Sequence, residues 1–168
     1  IENLKEWVVK GGTLIGTQTG SQWIINKKII NEKIKKTENM KLDIAYDQLG
    51  NVTGAQRIGG AIFEVELDNT HPIAFGYNKK ASIFRRGTHF FELSGAPSAN
   101  VGRYSNDPLV SGYISEEKTA EIKNTASIIA RRQGRGHVVL FADNPSFRAF
   151  WYGTDGLLLN AIFFGQAF

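Results

Sequence analysis

Cysteine is absent from the 168 residues. The missing thiols exclude a thiolate nucleophile, a cysteine-ligated zinc site and a disulfide framework together. They leave the compartment open, because a domain with an adequate core folds without disulfides even when it is secreted. Long apolar runs are absent as well. None approaches the ~20 residues of a membrane span, and the residues after Ile1 do not form a signal peptide. Charge of one sign is nowhere concentrated. The net charge is +4, and the short basic groups Lys27-Lys28, Lys35-Lys36, Arg85-Arg86 and Arg131-Arg132 are interleaved with acids. That pattern reads as solvated surface rather than the basic stripe of a nucleic-acid binder.

What is present suffices for one domain over 1–168, with 42% hydrophobic residues to build a core. The chain begins with Ile rather than Met and opens straight into a helical pattern. It therefore reads as an N-terminally truncated fragment of a larger protein. Leu4, Trp7 and Val8 share one helical face, and Gly11-Gly12 stops the helix. Thr13 to Gly16 reads as a short buried strand. From Ser21, the isoleucines up to Ile34 suggest one helix or two. This helix–strand–turn–helix order is the unit of an open α/β sheet.

The middle, about 54–113, is β-rich, either an insertion or a set of edge strands. Ala61 to Leu67 alternates as a half-buried strand should. Ser82 to Phe84 and Thr88 to Leu93 suggest further short strands, and Ser94 to Pro108 a long loop. The α/β pattern then returns. Ser115 is an N-cap, Ala126 to Ala130 and His137 to Ala142 are strands, and Asp155 to Phe164 is a helix apolar nearly all round, expected to be buried.

Gly16-Thr17-Gln18-Thr19-Gly20 lies between a predicted strand and a predicted helix. A G-x-Nuc-x-G turn works sterically, its glycines letting one strained side chain stand clear of a sharp strand-to-helix bend. The position resembles the nucleophile elbow of class I glutamine amidotransferases, where the side chain is a cysteine. The family's His-Pro-Glu after a late strand has a counterpart in Asn144-Pro145-Ser146. The resemblance thus implies a flavodoxin-like, three-layer α/β sandwich with vestigial positions at Gln18, Asn144 and Ser146. An amide has no nucleophilic role, and asparagine cannot relay a proton near neutral pH. No catalytic residue is expected. A vestigial pocket at the strand carboxyl ends would draw on Gln18, Asp143, Asn144, Arg148 and Trp151.

Three longer stretches, Leu4 to Ile15, Gly54 to Tyr77 and Gly134 to Gly165, resemble the C-terminal region of bacterial zinc carboxypeptidases of the carboxypeptidase A type. The resemblance implies a periplasmic or secreted parent whose N-terminal peptidase domain holds the zinc. This chain would then be a non-catalytic accessory domain without a cofactor or metal of its own. Its expected partners are that peptidase domain and, through an exposed sheet edge, a second copy. The rival readings are a small-molecule or glycan-binding module using the aromatic run near Trp151, and a zinc-dependent hydrolase fragment.

The zinc reading rests on His89-Phe90-Phe91-Glu92, with His71 or His137 as a further ligand. In a strand, positions three apart face opposite ways, so His89 and Glu92 would not converge on one metal. His137 is expected to be a half-exposed strand residue, His71 a structural hydrogen-bonding group in a turn, and Arg85-Arg86 an exposed pair, solvated or at an interface.

Overall fold

The computed structural model describes residues 1–36 and 45–168. Its described elements are helices α1 (Glu2–Val9), α2 (Thr19–Asn26), α3 (Tyr46–Ala55), α4 (Glu116–Ile122) and α5 (Asp155–Phe163), with strands β1 (Thr13–Thr17), β2 (Ile58–Leu67), β3 (Lys80–Gly87), β4 (Asn100–Gly112), β5 (Ala126–Gln133) and β6 (Gly136–Phe141). The six strands form one sheet in the order β1-β6-β5-β4-β2-β3. Only β1 and β6 run parallel; the other four pairings are antiparallel. The chain is a mixed α/β protein, and its β-rich middle continues the same sheet outward rather than forming a separate one.

Every residue of β6 is buried, as expected of a strand covered on both faces. Its side chains alternate between two apolar clusters. Val138 and Leu140 meet Val8 of α1 and Ile24 and Ile25 of α2. Val139 and Phe141 meet Ile122 of α4 and Leu157 and Ala161 of α5. Helices therefore sit on both faces of the central strands. On β2, alternate residues Ala61, Phe63, Val65 and Leu67 enter the second cluster, confirming the half-buried pattern.

Several expectations are corrected. The helix after Ser21 stops at Asn26, because Lys28 takes a left-handed φ of 52°. Ile29 and Ile30 are buried beyond the helix end. The expected strand over Thr88 to Leu93 is reduced to bridges at Phe91, which pairs with Ile34 and Ala126. The expected loop from Ser94 to Pro108 is largely β4. Pro108 is tolerated because β5 pairs only with the first residues of β4, so the stretch around Pro108 has β2 alone beside it. Finally, α5 buries Leu157 and Ala161 but leaves Leu159, Ile162 and Phe163 exposed, the last at 76%. Its all-round apolar character does not translate into burial on every side.

Two caps follow the sequence reading. Ser115 Oγ accepts from the Lys118 N–H at 3.3 Å and starts α4. His71 Nδ1 accepts from the Ile73 N–H at 3.2 Å and starts a 3-10 turn over Pro72–Ala74. That bond requires an unprotonated Nδ1. Burial lowers the His71 pKa below its ordinary 6.5, although Asp68 pulls it the other way. The folded state thus binds the proton more weakly than the unfolded chain does. The His71 contribution is complete above pH 6.5 and is lost as pH falls from there through the lower, folded value. Denaturant melts at pH 7.5 and pH 5 should show an acid-side loss that shrinks in His71→Asn, whose amide oxygen keeps the cap without titrating. An equal loss in both proteins would remove His71 as its source.

Candidate functional site

The turn after β1 has the backbone of an elbow. Gln18 sits at φ 46°, ψ −115°, between the end of β1 and the start of α2. A non-glycine residue at positive φ is uncommon and strained by roughly 1–3 kcal/mol. Its surroundings hold it there. The Gln18 N–H donates to the Phe141 carbonyl at 3.0 Å, and the Ser21 hydroxyl donates to the same oxygen at 2.9 Å. The Gln22 N–H closes the first turn of α2 on the Gln18 carbonyl at 3.1 Å. Gly16 is the necessary glycine, since a Cβ there would lie 2.7 Å from Ile24 Cδ1 and 2.9 Å from the Ser21 nitrogen. Gly20 has open space around it, so the second glycine of the motif is not demanded by packing.

Parallel pairing brings the second candidate segment alongside. Thr17 is in register with Phe141, so the elbow and Asp143 to Ser146 leave the carboxyl ends of neighbouring strands. There the two candidate positions are locally engaged. Asn144 Oδ1 accepts from the Ser146 N–H at 3.1 Å, and the Thr154 hydroxyl donates to the Pro145 carbonyl at 2.5 Å.

Asp143 turns inward instead. Its side chain is 3% exposed and that of Arg85 is 1% exposed, with Arg85 Nη1 2.7 Å from Asp143 Oδ1. Arg85 Nη1 also donates to the Tyr104 hydroxyl at 2.8 Å, Nη2 donates to the His89 carbonyl, and Tyr104 donates to the second Asp143 oxygen. Arg85 is therefore not half of an exposed pair. On β3 successive side chains alternate, so Arg86 is exposed while Arg85 lies on the inner face with Ile83. Burial opposes the guanidinium charge, but Tyr104 and Asp143 outweigh it and the Arg85 pKa lies above its ordinary value. Burial also pushes the Tyr104 phenol and the Asp143 carboxyl upward, with Arg85 pulling both back. Residues from β3, β4 and the end of β6 meet in this network, so it ties the edge strand β3 back to β6 on the far side of the sheet. Sequence reasoning missed it; the only trace was a charged residue at an inward position of a strand.

Arg148 and Trp151 belong to another group. Arg148 is exposed, with its guanidinium carbon 5.5 Å from the Phe147 ring centroid. The Trp151 indole donates to the Ser82 carbonyl at 3.2 Å, and the Phe84 ring lies 6.3 Å from Trp151 and 4.3 Å from Phe147. The aromatic run thus packs on β3.

The histidines are dispersed. His89 and Glu92 are exposed, on a segment that is not a strand, so the strand-facing argument against metal binding does not apply to them. Among the described residues no three His, Asp or Glu side chains gather as a metal site. His137 is not half-exposed. It is 4% exposed, its Nε2 meets the Phe168 carbonyl, and its Nδ1 has no partner among the described residues. The cause is the double coverage of β6. No described helix is long and apolar enough to cross a membrane.

The sequence matches no family model and no curated protein. Among solved structures, the chain is similar to a β-galactosidase from Bacillus circulans sp. alkalophilus, with TM-score 0.49 and 12% identity over 99% of this chain and 20% of that one. It is similar also to a ThuA-like protein from Bacteroides uniformis, with TM-score 0.46 and 12% identity over 96% of this chain and 61% of that one. The chain thus spans less than two thirds of either protein.

Proposed function

We propose that this chain is a class I glutamine amidotransferase-like domain that retains the nucleophile elbow and lacks the nucleophile. In this reading it serves as a non-catalytic accessory domain of an exported zinc carboxypeptidase and docks on the peptidase domain. The observation that carries the non-catalytic part is the backbone of Gln18. Strain at a strand-to-helix turn belongs to a nucleophile's position, yet here it displays an amide with no acid–base or nucleophilic chemistry. Asn144 and Ser146, at the neighbouring strand end, are tied to each other rather than to Gln18. The link to a carboxypeptidase rests on the sequence resemblance.

Two measurements test the reading. The purified chain should show no glutaminase, esterase or peptidase turnover; activity abolished by Gln18→Ala or by His89→Ala would sink it. In Gln18→Cys the new thiol is the chain's single cysteine and stands at the N-terminus of α2. Its pKa should therefore fall below the ordinary ~8.5 and its alkylation at pH 7 should outpace a free thiol several-fold. A thiol titrating at or above ~8.5 would mean that the turn is an ordinary connection without an activating environment.

A further inference from the structure

The irregular segment after α2 carries a second, unassigned polar centre. Glu32 has a side chain only 3% exposed, facing Arg131 of β5, which is 34% exposed. Glu32 Oε1 accepts from Arg131 Nη1 at 2.6 Å and from the Ser94 hydroxyl at 2.8 Å. Ser94 is itself fixed, its hydroxyl accepting from the Ala96 N–H at 3.2 Å and its own N–H donating to Asn100 Oδ1 at 2.7 Å. Arg131 Nη1 also donates to the Asn31 carbonyl at 3.3 Å. Among the described residues, Glu32 Oε2 and the Nε and Nη2 of Arg131 make no hydrogen bond.

Two cavities, of about 380 Å³ and about 500 Å³, share Asn31, Glu32 and Arg131 on their walls. Glu32 and Arg131, each with unused hydrogen-bonding capacity, therefore line the same open space. The smaller cavity adds Lys33 and Glu92, so its four charged side chains cancel, and Leu93 and Ala96 give it an apolar side.

We infer that this pair binds a free α-amino acid. The ligand's ammonium would sit on Glu32 Oε2, its carboxylate on the free fork of Arg131, and its side chain in the smaller cavity against Leu93 and Ala96. A simple anion would satisfy Arg131 but be repelled by Glu32, and a simple cation would meet the reverse. A molecule carrying both charges on one carbon satisfies two opposite charges held this close. The site lies apart from the elbow. Arg131 is in register with Val138, whereas Gln18 bonds at Phe141, the carboxyl end of β6. The inference therefore does not rest on the function proposed above.

The test is an amide-NMR titration of the chain with leucine, glutamate and lysine, and with N-acetylleucine, leucinamide and acetate. Saturable shifts at Asn31 to Lys33 and Ser94 to Ala96 are expected from at least one of the three amino acids. Blocking either charged end of leucine should weaken binding about tenfold or more, as expected for losing a hydrogen bond to a charged group. Acetate should not saturate the site. Arg131→Lys, which keeps the charge without the fork, should weaken it similarly while leaving the rest of the spectrum in place. Equal binding of leucine and N-acetylleucine, or saturation by acetate, would reduce the centre to an anion site and overturn the inference. So would the absence of saturable shifts from all three amino acids at tens of millimolar. The wild-type series decides the question even where a variant fails to fold.

Discussion

Removing the Asp143 carboxylate should cost the fold about 3–5 kcal/mol, the range for breaking a buried ion pair from one side. Asp143→Ala leaves the Arg85 guanidinium, 1% exposed, without its counter-charge. It also strips an acceptor from the Tyr104 hydroxyl. For a domain of this size, each kcal/mol lowers Tm by about 2–4 °C, so a drop on the order of 10 °C is expected. The loss has two sources that can be separated. If the uncompensated charge dominates, Arg85→Met combined with Asp143→Leu should recover most of the stability lost in Asp143→Ala, since apolar replacement of a whole buried pair is often neutral. If the network instead holds β3 to β6 by its hydrogen bonds, the double variant stays as unstable as the single one. Urea denaturation of the three proteins decides between these. A loss below about 1 kcal/mol in Asp143→Ala would contradict burial of the pair itself.

The second large effect is expected at Gly136, where α1 meets β6. A Cβ at this position would lie 2.0 Å from the Val8 carbonyl oxygen and 2.3 Å from that of Gly12. Both are backbone atoms and cannot rotate aside. They are also in use, since the Gly12 carbonyl accepts from the His137 N–H at 3.0 Å and the Val8 carbonyl accepts from the Gly11 N–H at 2.9 Å. Accommodating one methyl means moving the end of α1 off the sheet and uncovering Val8, which is fully buried. Gly136→Ala should therefore lose about 3 kcal/mol or more, the upper end for overpacking. Gly20→Ala is the matched control. Its Cβ meets nothing within 4 Å, and helix propensity favours alanine there, so no loss or a gain of a few tenths of a kcal/mol is expected. Comparable losses in both would refer the effect to glycine chemistry in general rather than to the α1–β6 contact.

The elements with a clean period were legible. α1, β1, β2, α4, β5, β6 and α5 all lie where apolar spacing and capping residues put them. β4 was not, because Asn100-Val-Gly-Arg-Tyr-Ser-Asn-Asp-Pro108 is rich in residues poorly suited to strands. It is extended because β5 and β2 offer it ladders, a property of the neighbours rather than of the segment. The end of α2 was missed for the converse reason. Ile29 and Ile30 are buried, as their spacing suggested, but from a bend beyond the turn at Lys28. On the candidate site, the elbow was readable because a tight turn leaves a local signature in Gly16 and its spacing to Gln18. The Arg85–Tyr104–Asp143 network left only a charged residue at an inward strand position, since its members lie 19, 39 and 58 residues apart. Glu32 and Arg131, 99 residues apart, are unreadable for the same reason.

The Trp151 indole on the Ser82 carbonyl has a consequence beyond packing. β3 ends the sheet, and an end strand offers unpaired backbone groups on which another chain can add itself. Here one of those carbonyls is already taken by the indole, and rings from Phe147 and Trp151 lie over the same strand. Towards the other end of the sheet, Gln166 donates to the Gly11 carbonyl just ahead of β1. The aromatic run thus acts as a guard rail along β3, occupying a carbonyl on which an added strand would have to bond.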